Sequence, residues 1–264
     1  MGGVQFKTER QQQILEKLKN DRQVTVAELS RLFDVSEITI RRDLQELEAE
    51  GVLQRAHGGA VLTMPAPPEP PIIQRLNQTQ VWKAQIGRAA AALIRDGESV
   101  FLSSGSTVTY VARNLLQRRN LTVVTNALNI AIELAAVEGV NVVVAGGMLR
   151  ASELSVIGHI TALALREVRV DKVIMGMQAI DLEAGMSHDY LPEVTTGRMI
   201  MDMAPELIVV ADHTKFGKRA AAYIAPVERI TTLVTDAQTD TKILSQLKQK
   251  GIRVIVADEE SQIE

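Results

Sequence analysis

The chain contains no cysteine. That absence excludes disulfides and thiol catalysis, and it fits a reducing compartment. No apolar run reaches roughly 18 residues, the length a membrane-spanning helix needs. No basic segment followed by an apolar one opens the sequence, so no signal peptide is expected. Phe6 spoils a myristoylation pattern after Met1-Gly2. A soluble, cytoplasmic protein is the expectation.

Several kinds of chemistry lack their usual residues. His57, His159, His188 and His213 are far apart and show no helical ligand spacing, so no metal site is expected. No Gly-x-Gly-x-x-Gly follows a strand-like run, which counts against a dinucleotide cofactor. Ser104 could be drawn with His188 or His213 as a nucleophile and base, but no Gly-x-Ser-x-Gly elbow frames it. No cofactor, metal or catalytic residue is assigned.

A basic surplus is missing too. The 264 residues carry 29 Lys+Arg against 32 Asp+Glu, a formal net charge of −3. Residues 1–62 hold nine basic and ten acidic groups, so the N-terminal part is near neutral. Distribution matters more than the sum, because charges interact within a Debye length of roughly 8 Å.

What is present begins with Thr25 to Gly59. Thr25-Val-Ala-Glu28 has the spacing of a capping box, and Leu29, Leu32 and Phe33 give the short helix after it an apolar face. The chain then turns through Asp34 and Val35, and Ser36 offers a second N-cap. Ile40, Leu44 and Leu47 follow at i, i+4 and i+7, the buried stripe of a second helix. Opposite that stripe stand Glu37, Ile38, Thr39, Arg41 and Arg42. Gly51 ends the helix, and Val52 to Ala60 reads as a hairpin with Arg55 and His57 near its tip. Two short helices meeting at a tight turn, the second polar and basic at its start, suit insertion into a DNA major groove. The pattern is a winged helix-turn-helix of α+β class over residues 1–62.

Five of the eight prolines lie between Thr63 and Pro71: Pro65, Pro67, Pro68, Pro70 and Pro71. Proline that dense is extended, so residues 63–75 read as a linker. Residues 76–264 then alternate short β-branched runs with amphipathic helical stretches. The runs are Ser99–Leu102, Leu121–Val124, Val140–Ala145, Val170–Met175, Leu207–Ala211, Thr231–Val234 and Ile252–Val256. Strands this apolar are covered on both faces, and their alternation with helices predicts an α/β domain with a mostly parallel sheet. Ligands of such sheets bind beyond the carboxyl ends of the strands. There the sequence places Ser103 with Ser104-Gly105-Ser106-Thr107, then Asn126, Gly146-Gly147, Asp181, and Asp212 followed by Lys215. Amides and hydroxyls where a strand gives way to a helix form a natural anion site.

The residues Val35-Ser36, Thr39-Ile-Arg-Arg-Asp-Leu44, Leu47-Glu48, Gly51, Arg55 and His57-Gly-Gly-Ala60 resemble the signature of the DeoR/GlpR family of bacterial transcriptional regulators. The resemblance covers nearly all of residues 7–257. It implies an effector domain similar to the ribose-5-phosphate isomerase and CoA-transferase fold, in which the Ser-Gly-Ser-Thr turn cradles a phosphate and Asp212 to Lys215 lie near the pocket. It further implies a double-stranded DNA operator read by Ser36, Glu37, Ile38, Thr39, Arg41 and Arg42, with Arg55 and His57 on flanking phosphate. Ser104, Gly105, Ser106, Thr107, Asn126, Gly146, Gly147, Asp181, Asp212 and Lys215 would bind a phosphorylated sugar. Ser103 and Ala179 depart from the family's usual Asp and Gly, so the phosphate site carries over more safely than the sugar's identity. The expected protein is a repressor of a carbohydrate-utilisation operon, a homodimer or homotetramer and not an enzyme. The alternative is a phosphosugar isomerase-like enzyme fused to a DNA-binding module, with Asp181, Glu193, Asp212 and Lys215 as its acid–base candidates.

Overall fold

A computed structural model describes residues 2–21, 23–49, 53–56, 58–61 and 70–258. The chain falls into two compact units, Met1–Pro65 and Ala66–Glu264.

The first unit runs α1 (Gly2–Asp21), β1 (Gln23–Thr25), α2 (Val26–Phe33), α3 (Glu37–Ala49), β2 (Gln54–Ala56) and β3 (Gly59–Val61). The Thr25 hydroxyl accepts the Glu28 N–H at 3.2 Å and caps α2, as its spacing predicts. Asp34 closes that helix in the left-handed region (φ 51°), which a short polar side chain tolerates. Ser36 Oγ accepts the Thr39 N–H at 3.3 Å and starts α3. Leu29, Ile40, Leu44 and Leu47 are buried together with Ile14 and Leu18 of α1 and Val24, Leu53 and Ala60. Leu32 is instead exposed, because Val26, Leu29 and Phe33 already make the inward stripe of this eight-residue helix.

Two parts of this unit have no counterpart in the sequence reading. Strand β1 joins the hairpin to give a three-stranded antiparallel sheet, order β1-β3-β2. Helix α1 supplies Arg10, whose Nε and Nη2 grip the buried Asp43 of α3 at 2.6 and 3.1 Å. Hydrogen bonding to Asp43 raises the Arg10 pKa further. An acid beside Leu44 is thereby neutralised inside the core rather than left charged and alone.

The second unit opens with α4 (Ile72–Leu76), α5 (Gln80–Ala91), β4 (Ser99–Leu102), α6 (Ser106–Arg113), β5 (Leu121–Thr125), α7 (Leu128–Leu134) and β6 (Val140–Val144). There follow β7 (Met148–Arg150), β8 (Ser155–Ile157), α8 (His159–Arg166), β9 (Lys172–Gly176), β10 (Ala179–Asp181), β11 (Gly185–His188) and α9 (Leu191–Met201). The chain ends with β12 (Glu206–Val210), β13 (Ala222–Ala225), β14 (Thr232–Asp236), α10 (Thr241–Gln249) and β15 (Arg253–Ala257). Each of the seven β-branched runs becomes a strand of one parallel sheet, order β15-β14-β12-β9-β4-β5-β6.

Alternate residues of those strands feed two cores. Val100, Leu102, Ile174, Ile208, Val210 and Val234 face α5, α6 and α7, among Ile86, Val111, Leu115 and Ile130. Phe101, Val173, Met175, Leu207, Val209 and Leu233 face the other way, among Val194, Ile200 and Leu247. The period of two is what a strand covered on both faces requires. Chain order and spatial order diverge between β4 and β9: the chain builds outward from β4 to β6, then returns to lay β9 on β4's other side. That is the switch point of an open α/β sheet, where a crevice forms.

The stretch read as linker through residue 75 ends in a helix. Pro71, with its preset φ, stands just before α4, and Ile72 and Arg75 are buried. Composition around the prolines hid a helix anchored by these two side chains.

Helices α5 and α6 cross closely at Gly87, where a Cβ would lie 2.7 Å from the Tyr110 carbonyl carbon. Helix propensity alone would make Gly87→Ala stabilising by about 1 kcal/mol. Backbone overlap reverses that sign, and overpacking of this kind typically costs about 1–3 kcal/mol. Gly87→Ala is therefore expected to lower the denaturant midpoint of the full-length protein; a raised midpoint would contradict the close crossing.

Candidate functional site

Ser36, Glu37, Ile38, Thr39, Arg41 and Arg42 gather at the start of α3. Ile38 is 80% exposed, an unusual position for an isoleucine in an otherwise buried-stripe helix. Arg41 Nη2 lies 3.3 Å from Glu37 Oε2 and Arg42 Nε 3.5 Å from Glu46 Oε1, all exposed or nearly so. Such surface pairs are weak and are easily given up to a stronger anion. Arg55 sits in β2 opposite Ala60. His57 lies outside the described residues.

In the second unit a pocket partly open to solvent lies at the carboxyl ends of β4, β9 and β12. Ser103 to Thr107 form its floor where β4 gives way to α6. Gly105 has φ +135°, a conformation that L side chains rarely adopt, and it lets the chain turn sharply into α6. The first amides of a helix have no partner within it and present a partial positive charge. Ser103 is occupied elsewhere: its N–H donates to the Ile174 carbonyl at 3.0 Å and its Oγ accepts the Gly176 N–H at 3.4 Å, so it ties β4 to β9.

Asn126, from the end of β5, lines the same pocket. Its Nδ2 donates to the Val156 carbonyl at 3.2 Å, while its buried Oδ1 has no hydrogen-bond partner among the described residues. A buried carbonyl oxygen left open invites a donor such as a hydroxyl. Lys215 also lines the pocket. Asp212 caps its 3-10 turn by accepting the Thr214 N–H at 2.9 Å, and Asp236 holds His213 by its N–H (2.8 Å) and Nδ1 (3.0 Å).

The structure thus brings Ser104, Gly105, Ser106, Thr107, Asn126 and Lys215 together and leaves four expected residues out. Asp212 is buried and caps the turn that carries Lys215, whose N–H donates to the Asp212 carbonyl at 3.0 Å. Asp181 ends β10, where its Oδ1 accepts the Glu183 and Ala184 N–H groups and Arg219 Nη2. Burial pushes that carboxyl up, but these hydrogen bonds outweigh it and hold it below its ordinary value. Asp181 shapes the β10–β11 turn. Gly146 and Gly147 are exposed after β6, with the Gly146 carbonyl accepting Thr161 Oγ1 of α8 at 2.7 Å. They serve the packing of that helix.

Arg75 and Glu153, to which the sequence did not point, complete the pocket together with His188 and Glu193, which it raised only as acid–base candidates. Arg75 pairs with Glu153, and Arg150, stacked 4.3 Å from the Tyr190 ring centroid, pairs with Glu193. Ser104 Oγ and His188 Nε2 approach Glu193 at 3.5 and 3.7 Å. The Glu193 pKa is raised, chiefly by burial, with the nearby Glu153 charge adding to the rise and Arg150 opposing it. No cluster fit for a metal ion occurs among the described residues.

Two family models match the chain: a DeoR-like helix-turn-helix domain at residues 10–65 and a DeoR C-terminal sensor domain at residues 78–237. The chain belongs to the DeoR family. Among its relatives, the transcriptional repressor AccR of Agrobacterium fabrum is 34% identical over 95% of this chain and 97% of its own length. The glycerol-3-phosphate regulon repressor of Escherichia coli is 33% identical over 94% of this chain and 98% of its own. The likeness to ribose 5-phosphate isomerase A of Methanocaldococcus jannaschii is partial: 17% identity and TM-score 0.40, over 53% of this chain and 56% of that one. This DeoR-family protein is a DNA-binding transcriptional regulator, with its helix-turn-helix in the first unit and its sensor in the second. No described helix is long and apolar enough to cross a membrane.

Proposed function

We propose that this DeoR-family protein represses a carbohydrate-utilisation operon and that a phosphorylated sugar releases it. What carries the ligand half is the meeting of the Ser104–Thr107 turn, Lys215 and the unpartnered Asn126 Oδ1 in one pocket. Helix amides, hydroxyls and an ammonium suit a phosphate dianion, and the open carbonyl suits a sugar hydroxyl. On the DNA side, Glu37, Ile38 and Thr39 read base edges, Arg41 and Arg42 touch backbone or bases, and the wing carrying Arg55 meets flanking phosphate. The regulator works as a homodimer or homotetramer. The pocket senses rather than catalyses: Glu193, the carboxyl an isomerase would draw on, is engaged by Arg150.

The test begins with operator selection from random DNA by the full-length protein, followed by gel shifts with phosphorylated sugars. Lys215→Ala is expected to bind operator normally but to need on the order of tenfold more ligand for release. That shift corresponds to about 1.4 kcal/mol, close to the low end of the roughly 1.5–3 kcal/mol that a charge-assisted contact contributes. A release curve that stays put in Lys215→Ala would remove this pocket from the reading.

A further inference from the structure

Arg75 stands where the ligand pocket meets the chain that arrives from the DNA-binding unit. It belongs to α4, the first helix after the proline-rich segment, and it is buried. Its Nε donates to the Pro70 carbonyl at 2.8 Å, and its Nη2 pairs with Glu153. Both Arg75 and Glu153 line the pocket. Glu153 lies in the turn between β7 and β8, where the adjacent Ser152 carbonyl accepts the Ile72 N–H at 2.8 Å. Helix α4 is therefore held to that turn at Ile72 by a peptide hydrogen bond and at Arg75 by an ion pair, and both partners of the ion pair line the pocket.

Charge balance makes this pair responsive. Arg75 and Arg150 offset Glu153 and Glu193, so the quartet is neutral before any ligand arrives. A dianion beside it repels Glu153 and attracts guanidinium, which grips phosphate in the same bidentate manner as carboxylate. Pulling Arg75 toward the ligand removes or drags the donor that holds the Pro70 carbonyl. We propose that Arg75 is the relay of this sensor: an anionic ligand draws its guanidinium off Glu153 and so shifts the segment that leads to the DNA-binding unit. The inference rests on the effector reading of the pocket and adds how occupancy leaves it.

Coupling at saturation separates a relay from a residue that merely holds ligand, because it depends on the difference between states and not on affinity. The full-length protein is tested on its selected operator with glucose 6-phosphate, ribose 5-phosphate and glycerol 3-phosphate as probes. Calorimetry fixes the saturating concentration. The wild type is expected to lose operator affinity by a factor of about ten or more at saturation, within the usual range of coupling between sites. The double variant Arg75→Gln/Glu153→Gln, which removes both charges of the pair together, is expected to lose less than about twofold. Undiminished coupling with only a displaced probe midpoint would overturn the relay.

Hydrogen exchange on the wild type provides a second measurement that does not depend on the variant folding. Saturating probe is expected to speed exchange of the Ile72–Leu76 amides about tenfold, as helix opening becomes easier. Protection at residues 104–107 with unchanged exchange at 72–76 would also overturn the relay. A wild type that binds operator but is released by none of the probes overturns the effector reading itself, and the relay with it. The presence or absence of wild-type release tells the two failures apart.

Discussion

Alanine at both Arg41 and Arg42 is expected to weaken operator binding by about a hundredfold or more, since each good base contact is worth roughly 1–3 kcal/mol. The fold should not suffer. Both side chains are exposed, and the pairs they would lose, with Glu37 and Glu46, are surface pairs contributing about 0–1 kcal/mol. The buried stripe Ile40, Leu44 and Leu47 is untouched. Salt then separates two modes of contact. If both arginines neutralise phosphate, the slope of log affinity against log salt should flatten by about 1.8 for each reading head on the operator, from roughly 0.9 per phosphate. If they read bases, the slope should hold while discrimination relaxes at one or two operator positions. Gel shifts at several salt concentrations measure both. Wild-type affinity in the double variant would remove α3 as the reading helix.

The seven parallel strands were legible because each is a continuous β-branched run, a pattern that survives without tertiary information. Caps were legible for the same local reason: Thr25 with Glu28, and Ser36 with Thr39, are three residues apart. The antiparallel strands β10, β11 and β13 were not. Gly185–His188 has neither an apolar run nor alternation, and its pairing with Ala222–Ala225 is non-local. Half of the pocket shares this opacity. Arg75 and Glu153 are 78 residues apart, and nothing in either neighbourhood marks a buried ion pair. Asp181 and Gly146-Gly147 lie outside the pocket lining, and polar or glycine residues at strand ends build turns as readily as they bind ligands. Only the partners they find in the folded chain separate the two uses.

Removing residues 66–264 is expected to abolish tight operator binding while leaving the first unit folded, because the loss is one of linkage between reading heads. The first unit has its own core of Ile14, Leu18, Leu29, Ile40 and Leu44, so its helical circular dichroism should persist. Its charge is near neutral, so a lone head can draw little on general attraction to the DNA backbone. Joining two heads makes the second contact intramolecular and raises avidity by about 10²–10⁴. The second unit offers a surface suited to that joining. Strand β6 is an edge of the parallel sheet, with Val143 and Val144 exposed, and Met148 and Leu149 of β7, which follows it in the chain, are exposed too. Ile160 of α8, also exposed, lies near Gly146 just past that strand and adds to the apolar surface there. Bare apolar edges invite strand pairing and are normally covered, and a twofold axis would let one copy cover the other with the same patch. Val144→Lys should therefore shift the full-length protein toward monomer in sedimentation and weaken operator binding nearly as far as the truncation does. A full-length protein that sediments as a monomer at micromolar concentration, yet binds operator with undiminished affinity, would show that one head suffices.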